Sequence, residues 1–421
     1  MHDSRLLQRI YVQVGHEPRS KKSLKPDQKI AFQSSAAEGM KRLKLQPLRG
    51  PIVVDMTFDP VAPNPPSIEK LPKSYLDLLE RRVKPDGTFS QDHLVFRDDR
   101  QVKVLLVQYD LGLTTRPGVH ATIVARRHLL ADLELARRIE SDDFLQSATY
   151  RFSRSRVEGS RIFAFQSEFD RERAFAEIHD LESQPRLRQQ LGKAYDDTLL
   201  VAYHEAQRII LADNDRAIGS SLAALFPLWK RTQPPLLAEL LKMRREMLMS
   251  RPLSYKVMHV PRRDGDNALF GDAVRRAVAE LQADHPLLFP LRTQLAVTIF
   301  YVPPMPGSPG SVGKDLDNLA RLLISRVQEL CKPPSTLWHT FRHFEMTQRD
   351  PETLAWAARQ LDLHKRLPGV AVVRYLAVEL PRVPGDPVDG MVTLAFGGGQ
   401  QEYSFLGALD RFIDEWKDDV R

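Results

Sequence analysis

The sequence predicts an α+β protein in which two copies of one mixed strand-and-helix module are joined by a helical connector, and three observations predict it. A chain of 421 residues exceeds one typical core and suits two or three domains. Apolar residues at 42% and charged residues at 27% give the balance of a folded, soluble chain rather than a disordered one. The order of strand, loop and helix patterns near residues 8–125 recurs near 254–397, and agreement in order is stronger evidence than any single match. The expected boundaries are residues 1–125 for the first copy, 126–250 for the connector and 251–400 for the second copy. A helical insertion is expected at about 331–366 and a C-terminal helix over 401–421.

In the first copy, Ile10-Tyr11-Val12-Gln13-Val14 alternates as a strand, a basic loop follows, and a short helix is expected from Ser34 to Leu43. Residues Pro51 to Phe58 form the next strand, which the Pro-rich loop Pro60 to Pro66 ends. Leu71, Tyr75, Leu78 and Leu79 fall at helical spacing and predict a helix from Ile68 to Arg82. Strands over Val102 to Tyr109 and Gly118 to Val124 close the unit. The second copy repeats the order: a strand over Ser254 to Val260, a polar loop, a helix over Asp272 to Leu281 and a strand over Thr293 to Val302. A Pro/Gly loop, a helix over Leu316 to Leu330 and strands over Val370 to Leu380 and Met391 to Phe396 complete it. Between the copies, Arg173 to Glu182 and Arg188 to Ala212 read as helices.

Two acidic clusters carry the chemistry. Asp315-Leu316-Asp317-Asn318-Leu319 opens a helix, and Asp98-Asp99-Arg100-Gln101-Val102 opens a strand. Carboxylates at i and i+2, joined by others from a distant strand, suit hard divalent cations at a phosphodiester-cutting site. Each cluster also has a plain structural use, because Asp and Asn cap helices and Asp-Asp favours a turn.

A net charge of +7 favours a polyanionic partner. The basic residues Arg19, Lys21, Lys22, Lys25, Lys29, Lys41 and Arg42 gather near the N-terminus, with Arg262 and Arg263 in the second copy, as a phosphate-contacting edge or an ordinary solvated face. The single Cys331 excludes an internal disulfide and a multi-cysteine zinc site, which fits a reducing, cytoplasmic setting. No apolar window approaches a membrane span, and the N-terminus carries no leader-like apolar stretch.

The succession of a strand, a Pro-rich loop, Asp-x-Asp-Asn-Leu opening a helix, and Asp-Asp-x-Gln-Val opening a strand resembles the RusA family of Holliday junction resolvases. The resemblance implies a Mg²⁺-dependent endonuclease of DNA recombination and repair that acts on branched DNA as a homodimer, with aspartates in these two motifs and a lysine one helical turn after the first. Each half of this chain then corresponds to one family domain, so that the chain is an intramolecular pseudo-dimer.

The two halves keep complementary parts of that pattern. The second keeps Asp315, Asp317 and Asn318, with Arg321 in the lysine place, and lacks the second motif. The first keeps Asp98, Asp99, Gln101 and Val102, with Lys73 in the lysine place, but carries Ser67, Glu69 and Lys70 where the family has Asp, Asp and Asn. Three outcomes follow. Either copy alone keeps a weak site, in which one carboxylate and the substrate phosphates hold Mg²⁺. Independent decay gives a protein that binds branched DNA without cutting it, which the losses favour. Alternatively, Asp315 and Asp317 meet Asp99, with Asp98 and Glu69 as further metal ligands and Lys73 or Arg321 offsetting phosphate charge, in one composite Mg²⁺ site.

Other motifs carry less. Gly307 to Lys314 misses the spacing of a phosphate loop, and Gly397-Gly398-Gly399 reads as a turn after a strand. His339 and His343 lack the glutamate of a metalloprotease helix, Trp338, Phe341 and Phe344 suit core packing better than base wedging, and Ser153 to Arg156 reads as surface.

Overall fold

The computed structural model describes residues 9–84, 88–110, 116–135, 253–257, 260–261, 267–307, 315–333, 366–367, 369–382 and 385–398, with scattered positions within 186–211, 351–358 and 406–414. The first half contains β1 (Ile10–Val14), α1 (Pro26–Arg42), β2 (Ile52–Asp59), α2 (Leu71–Glu80), β3 (Arg81–Val83), β4 (Phe89–His93), β5 (Val102–Tyr109) and β6 (Gly118–Ala125). The second contains β7 (Ser254–Val257), α3 (Ala268–Asp284), β8 (Leu295–Val302), α4 (Leu316–Leu330), β9 (Val372–Glu379) and β10 (Met391–Gly398). Most of the expected connector, the insertion, the C-terminal helix, Arg262, Arg263 and the Trp338 to Phe344 segment lie outside the described residues.

The α+β class holds, but the expected pair of sheet domains is one continuous sheet. Eight strands run in the order β1-β6-β2-β5-β9-β8-β10-β7, with β3 and β4 forming a separate hairpin. The join is antiparallel pairing of β5 with β9, from Val104↔Val378 to Gln108↔Arg374, beside a Lys103–Glu379 ion pair of 2.7 Å. One apolar core draws on both halves. The central strands are covered on both faces, which is why β8, Leu-Ala-Val-Thr-Ile-Phe-Tyr-Val, is buried along its whole length and reads as a near-continuous apolar run.

The sheet reads alike from either edge. β1 and β6, then β6 and β2, pair antiparallel and β2 with β5 parallel; β7 and β10, β10 and β8, and β8 with β9 repeat those senses. The parallel pairs share even a register irregularity, between Ile52 and Val53 in one and between Leu295 and Ala296 in the other. Leu106 and Leu376, each the fifth residue of its strand, face one another at the join.

Several element ends differ from the sequence reading for local reasons. Helix α1 starts at Pro26 rather than near Ser34, because proline suits the first turn and the Gln28 side chain accepts from the Lys25 N–H at 3.1 Å. Lys29, Lys41 and Arg42 therefore stand on a helix. The expected helix from Ile68 to Arg82 splits into a 3-10 turn at Ile68–Lys70 and α2, and it stops at Glu80 because the next residues pair with β4. Asp99–Gln101 is a 3-10 turn that leads into β5 at Val102, so the second acidic motif stands immediately before its strand, as its pattern implies. Gly397 and Gly398 belong to β10. Helix α2 buries Leu71, Tyr75, Leu76, Leu78 and Leu79, with Tyr75 against Phe32 and Phe58 at ring separations of 5.0 and 5.5 Å. That packing fixes the side of α2 that carries Lys73. Among the described residues, no helix is long and apolar enough to cross a membrane.

Candidate metal centre

The two acidic motifs meet. One carboxylate oxygen each from Asp99, Asp315 and Asp317 lies within 4.8 Å of the others, although Asp99 comes from the first half and the other two from the second. The β5–β9 join produces the meeting. Because these strands are antiparallel, the start of β5, where Asp99 sits, lies beside the end of β9, and the parallel strand β8 ends on the same side and leads to α4.

Local structure frees these carboxylates for the site. Asp315 holds the N-cap position of α4, yet its side chain makes no capping hydrogen bond, so capping does not account for it. Asp317 follows in the first turn and is 5% exposed, since Leu316, Leu319 and Ala320 pull that end of α4 into the core. In the other motif the labour is divided. Asp98 caps the 3-10 turn by accepting from the Arg100 N–H at 2.8 Å. Gln101 accepts from the Arg97 and Asp98 N–H groups at 2.8 and 3.0 Å and donates to the Leu48 and Gly50 carbonyls, both at 2.9 Å. The turn is thus pinned at four points while Asp99 projects from it. Asp98 is exposed, caps the turn through Oδ1 and stands outside the trio.

Lys73 reaches the trio from α2. Its Nζ lies 2.6 Å from Asp99 Oδ2 and 3.5 Å from both Asp317 Oδ2 and Asp77 Oδ1. Arg100 Nε lies 3.6 Å from Asp315 Oδ1. Three carboxylates against these two cations leave one negative charge in excess. Burial first, then the charge of Asp99, raises the pKa of Asp315, partly offset by Arg100 and Lys73. Burial likewise raises Asp317, with Lys73 opposing and Asp99 and Asp315 adding to the rise. Burial also works against the charge on Asp99, but the Lys73 hydrogen bond and charge prevail and lower its pKa. Lys73 itself is held above its ordinary value, since Asp317, Asp99 and Asp77 together outweigh burial. Like charges brought together and partly desolvated are what a bound cation relieves.

The donor set fits a hard divalent cation. All three donors are carboxylate oxygens, the type Mg²⁺ and Ca²⁺ select, and opposite ligands around such ions stand roughly 4 to 5 Å apart. Asp317 Oδ2 is buried and has no hydrogen-bond partner, so it retains a lone pair for a ligand. Glu69 does not join the trio. It is buried at 4% exposure, accepts from Ser325 Oγ at 3.4 Å, and has its pKa raised chiefly by burial. Arg321 is exposed on α4, and the lysine at the trio is Lys73 from the first half. Asn318 is half-buried, and its backbone N–H bonds to Asp317.

The basic residues divide. Lys21 pairs with Asp77 at 2.5 Å, and the Arg19 N–H donates to Tyr75 Oη at 3.2 Å, so the loop holding Arg19, Lys21, Lys22 and Lys25 borders the Lys73 side of the site. Lys29 is half-exposed near the start of α1, whereas Lys41 and Arg42 are exposed in its last turn, about 18–20 Å further along the helix. Those residues therefore form no single patch.

Sequence reasoning missed Arg100, Asp77 and Tyr301. Asp77 was within reach, as it stands one helical turn after Lys73. Tyr301 gave no signal in its apolar strand. It is 1% exposed, its hydroxyl has no hydrogen-bond partner, and burial, then Glu379 and Asp315, raise its pKa. Comparison with known protein families, curated proteins and solved structures finds no match to this chain.

Proposed function

We propose that the protein is a divalent-metal-dependent nuclease acting on branched DNA, with its two halves as diverged copies of a RusA-like module and one composite cutting centre between them. The observation that carries this reading is the Asp99, Asp315 and Asp317 trio, drawn from both halves and closed by Lys73. The sheet that reads alike from both edges supports the duplication, and the basic loop beside the site supports a polyanionic substrate.

In this reading Asp99, Asp315 and Asp317 hold the ion, which when bound polarises a phosphoryl oxygen and makes water a better nucleophile. Lys73 and Arg100 offset the charge of the incoming phosphate. Hydrolysis joins a water oxygen to phosphorus and breaks one bond from phosphorus to a sugar oxygen, which takes the proton.

The test is cleavage of a four-way junction and of an equal-length duplex with Mg²⁺ or Mn²⁺. Junction cleavage is expected, with Asp99→Asn and Asp317→Asn each lowering it on the order of 10²–10³-fold or more. The double variant is expected to be no worse, because groups acting as one unit are non-additive. An effect of Asp317→Asn alone would sink the composite site. Binding without cutting is the second reading, and the specific observation favouring it is Lys73 Nζ at 2.6 Å from Asp99, where a resident ammonium already occupies part of the carboxylates' charge. Salt-sensitive junction binding with no cleavage in either metal would establish that reading.

A further inference from the structure

The register that makes the sheet read alike from both edges also pairs positions at its two ends. Val102 and Val372 open β5 and β9, opposite Ile52 and Leu295. Three residues before each stand Asp99 and Gly369. Likewise Ser67 and Asp315 are the N-caps of the segments that open at Ile68 and Leu316, so Glu69 answers Asp317 and Lys73 answers Arg321.

Among the described residues, the second set of positions carries no matching group of carboxylates. Gly369 has φ of +69°, a conformation that favours glycine, and a Cβ there would stand 2.7 Å from Lys332 Cε. The exposed end of Lys332 lies beside that position and would have to swing aside for a side chain there. The Gly369 carbonyl is bound by Gln328 Nε2 at 2.9 Å, so the backbone there has its own fixed role. Glu69 is turned into the core toward Ser325, and Ser67 offers no carboxylate. Among the described residues, the carboxylate trio is found at one end alone.

Resting on the nuclease reading above, we infer that each chain cuts one strand of a junction per binding event, at the end that holds Asp99, Asp315 and Asp317. The chain is a nicking enzyme built on a two-sided frame. A junction with four separately labelled strands then yields singly nicked molecules while the protein is a monomer, and paired incisions need two chains.

The experiment combines that cleavage assay, run at concentrations shown by sedimentation to be monomeric, with Mn²⁺ binding followed by electron paramagnetic resonance. Single nicks are expected. All tight Mn²⁺ binding is expected to vanish in Asp317→Asn and in Asp99→Asn, and to persist in Ser67→Ala. Tight binding that survives both aspartate variants, or simultaneous symmetric incisions by the monomer, would overturn the one-cut inference and leave the nuclease reading standing. Absence of tight Mn²⁺ binding and of cleavage in the unaltered protein would overturn both.

Discussion

The two ends of the β5–β9 join share a backbone plan and differ in what fills it. At one end Asp99, Asp315, Asp317 and Lys73 converge around a concentration of negative charge. At the other, Gly369, Ser67, Glu69 and Arg321 occupy the answering positions, with glycine held at a positive φ and the one carboxylate buried against Ser325. Strand pairing thus survives exchange of the polar residues at its rim, because pairing depends on the buried apolar faces and not on those residues. A cluster of carboxylates close enough to hold a cation does not, since such a site needs each ligand in place.

The largest effect that sharpens this comparison should come from the answering pair Lys73 and Arg321. Lys73→Gln is expected to lower cleavage about 100-fold at saturating metal, as loss of one preorganised charge at a phosphoryl site does. Arg321→Gln should stay within about twofold of the unaltered protein. Equal losses would show that both ends touch the reacting phosphate.

A middle-sized effect is expected at Gln101, whose answering residue is Ala371. Gln101→Ala strips the turn of four hydrogen bonds. It should cost about 1–3 kcal/mol in urea unfolding and loosen Asp99, so that Mn²⁺ affinity falls along with stability. Unchanged affinity in a destabilised variant would mean that the turn does not position Asp99.

The smallest effect concerns His120 and Asp59, which answer Thr393 and Val302. The His120 ring lies 2.8 Å from Asp59 Oδ2. That hydrogen bond, opposed by burial and aided by the charges of Asp59 and Asp110, raises the His120 pKa. A raised folded-state value contributes stability that is complete below the unfolded pKa of about 6.5 and is lost as pH rises through the folded value. The thermal midpoint should therefore drop slightly more between pH 6 and 8 in the unaltered protein than in His120→Gln. Parallel slopes would sink this assignment.

Much of this was legible in the sequence. Long apolar strands such as Leu295–Val302 announce themselves, and so do the aspartates at i and i+2 before a helix. Asp99, Asp315, Asp317 and Lys73 all follow from motif position, and they are the groups that converge. The single sheet was not legible, because pairing of Val104 with Val378 is a contact between distant segments that no local pattern encodes. Nor was the division of roles between Asp98 and Asp99. Adjacent and identical in type, they are told apart by which one the turn uses as its cap. Glu69 looked like a ligand by position, but Ser325 and the core claim it. The β3–β4 hairpin, Arg-Arg-Val against Phe-Ser-Gln-Asp-His, has no apolar alternation to betray it.

The join between β5 and β9 has a further consequence. A centre whose ligands came from separate chains would fall apart on dilution, whereas here both contributors are tethered, and their effective concentration is set by the chain itself, on the order of millimolar or above. The centre stays assembled however scarce the protein is in its surroundings. A substitution in a pair of identical chains strikes both copies at once; in this chain it strikes one, so Gly369 can exist without disturbing Asp99. Tethering thus lets the polar residues at one end of the join change while those at the other stay together.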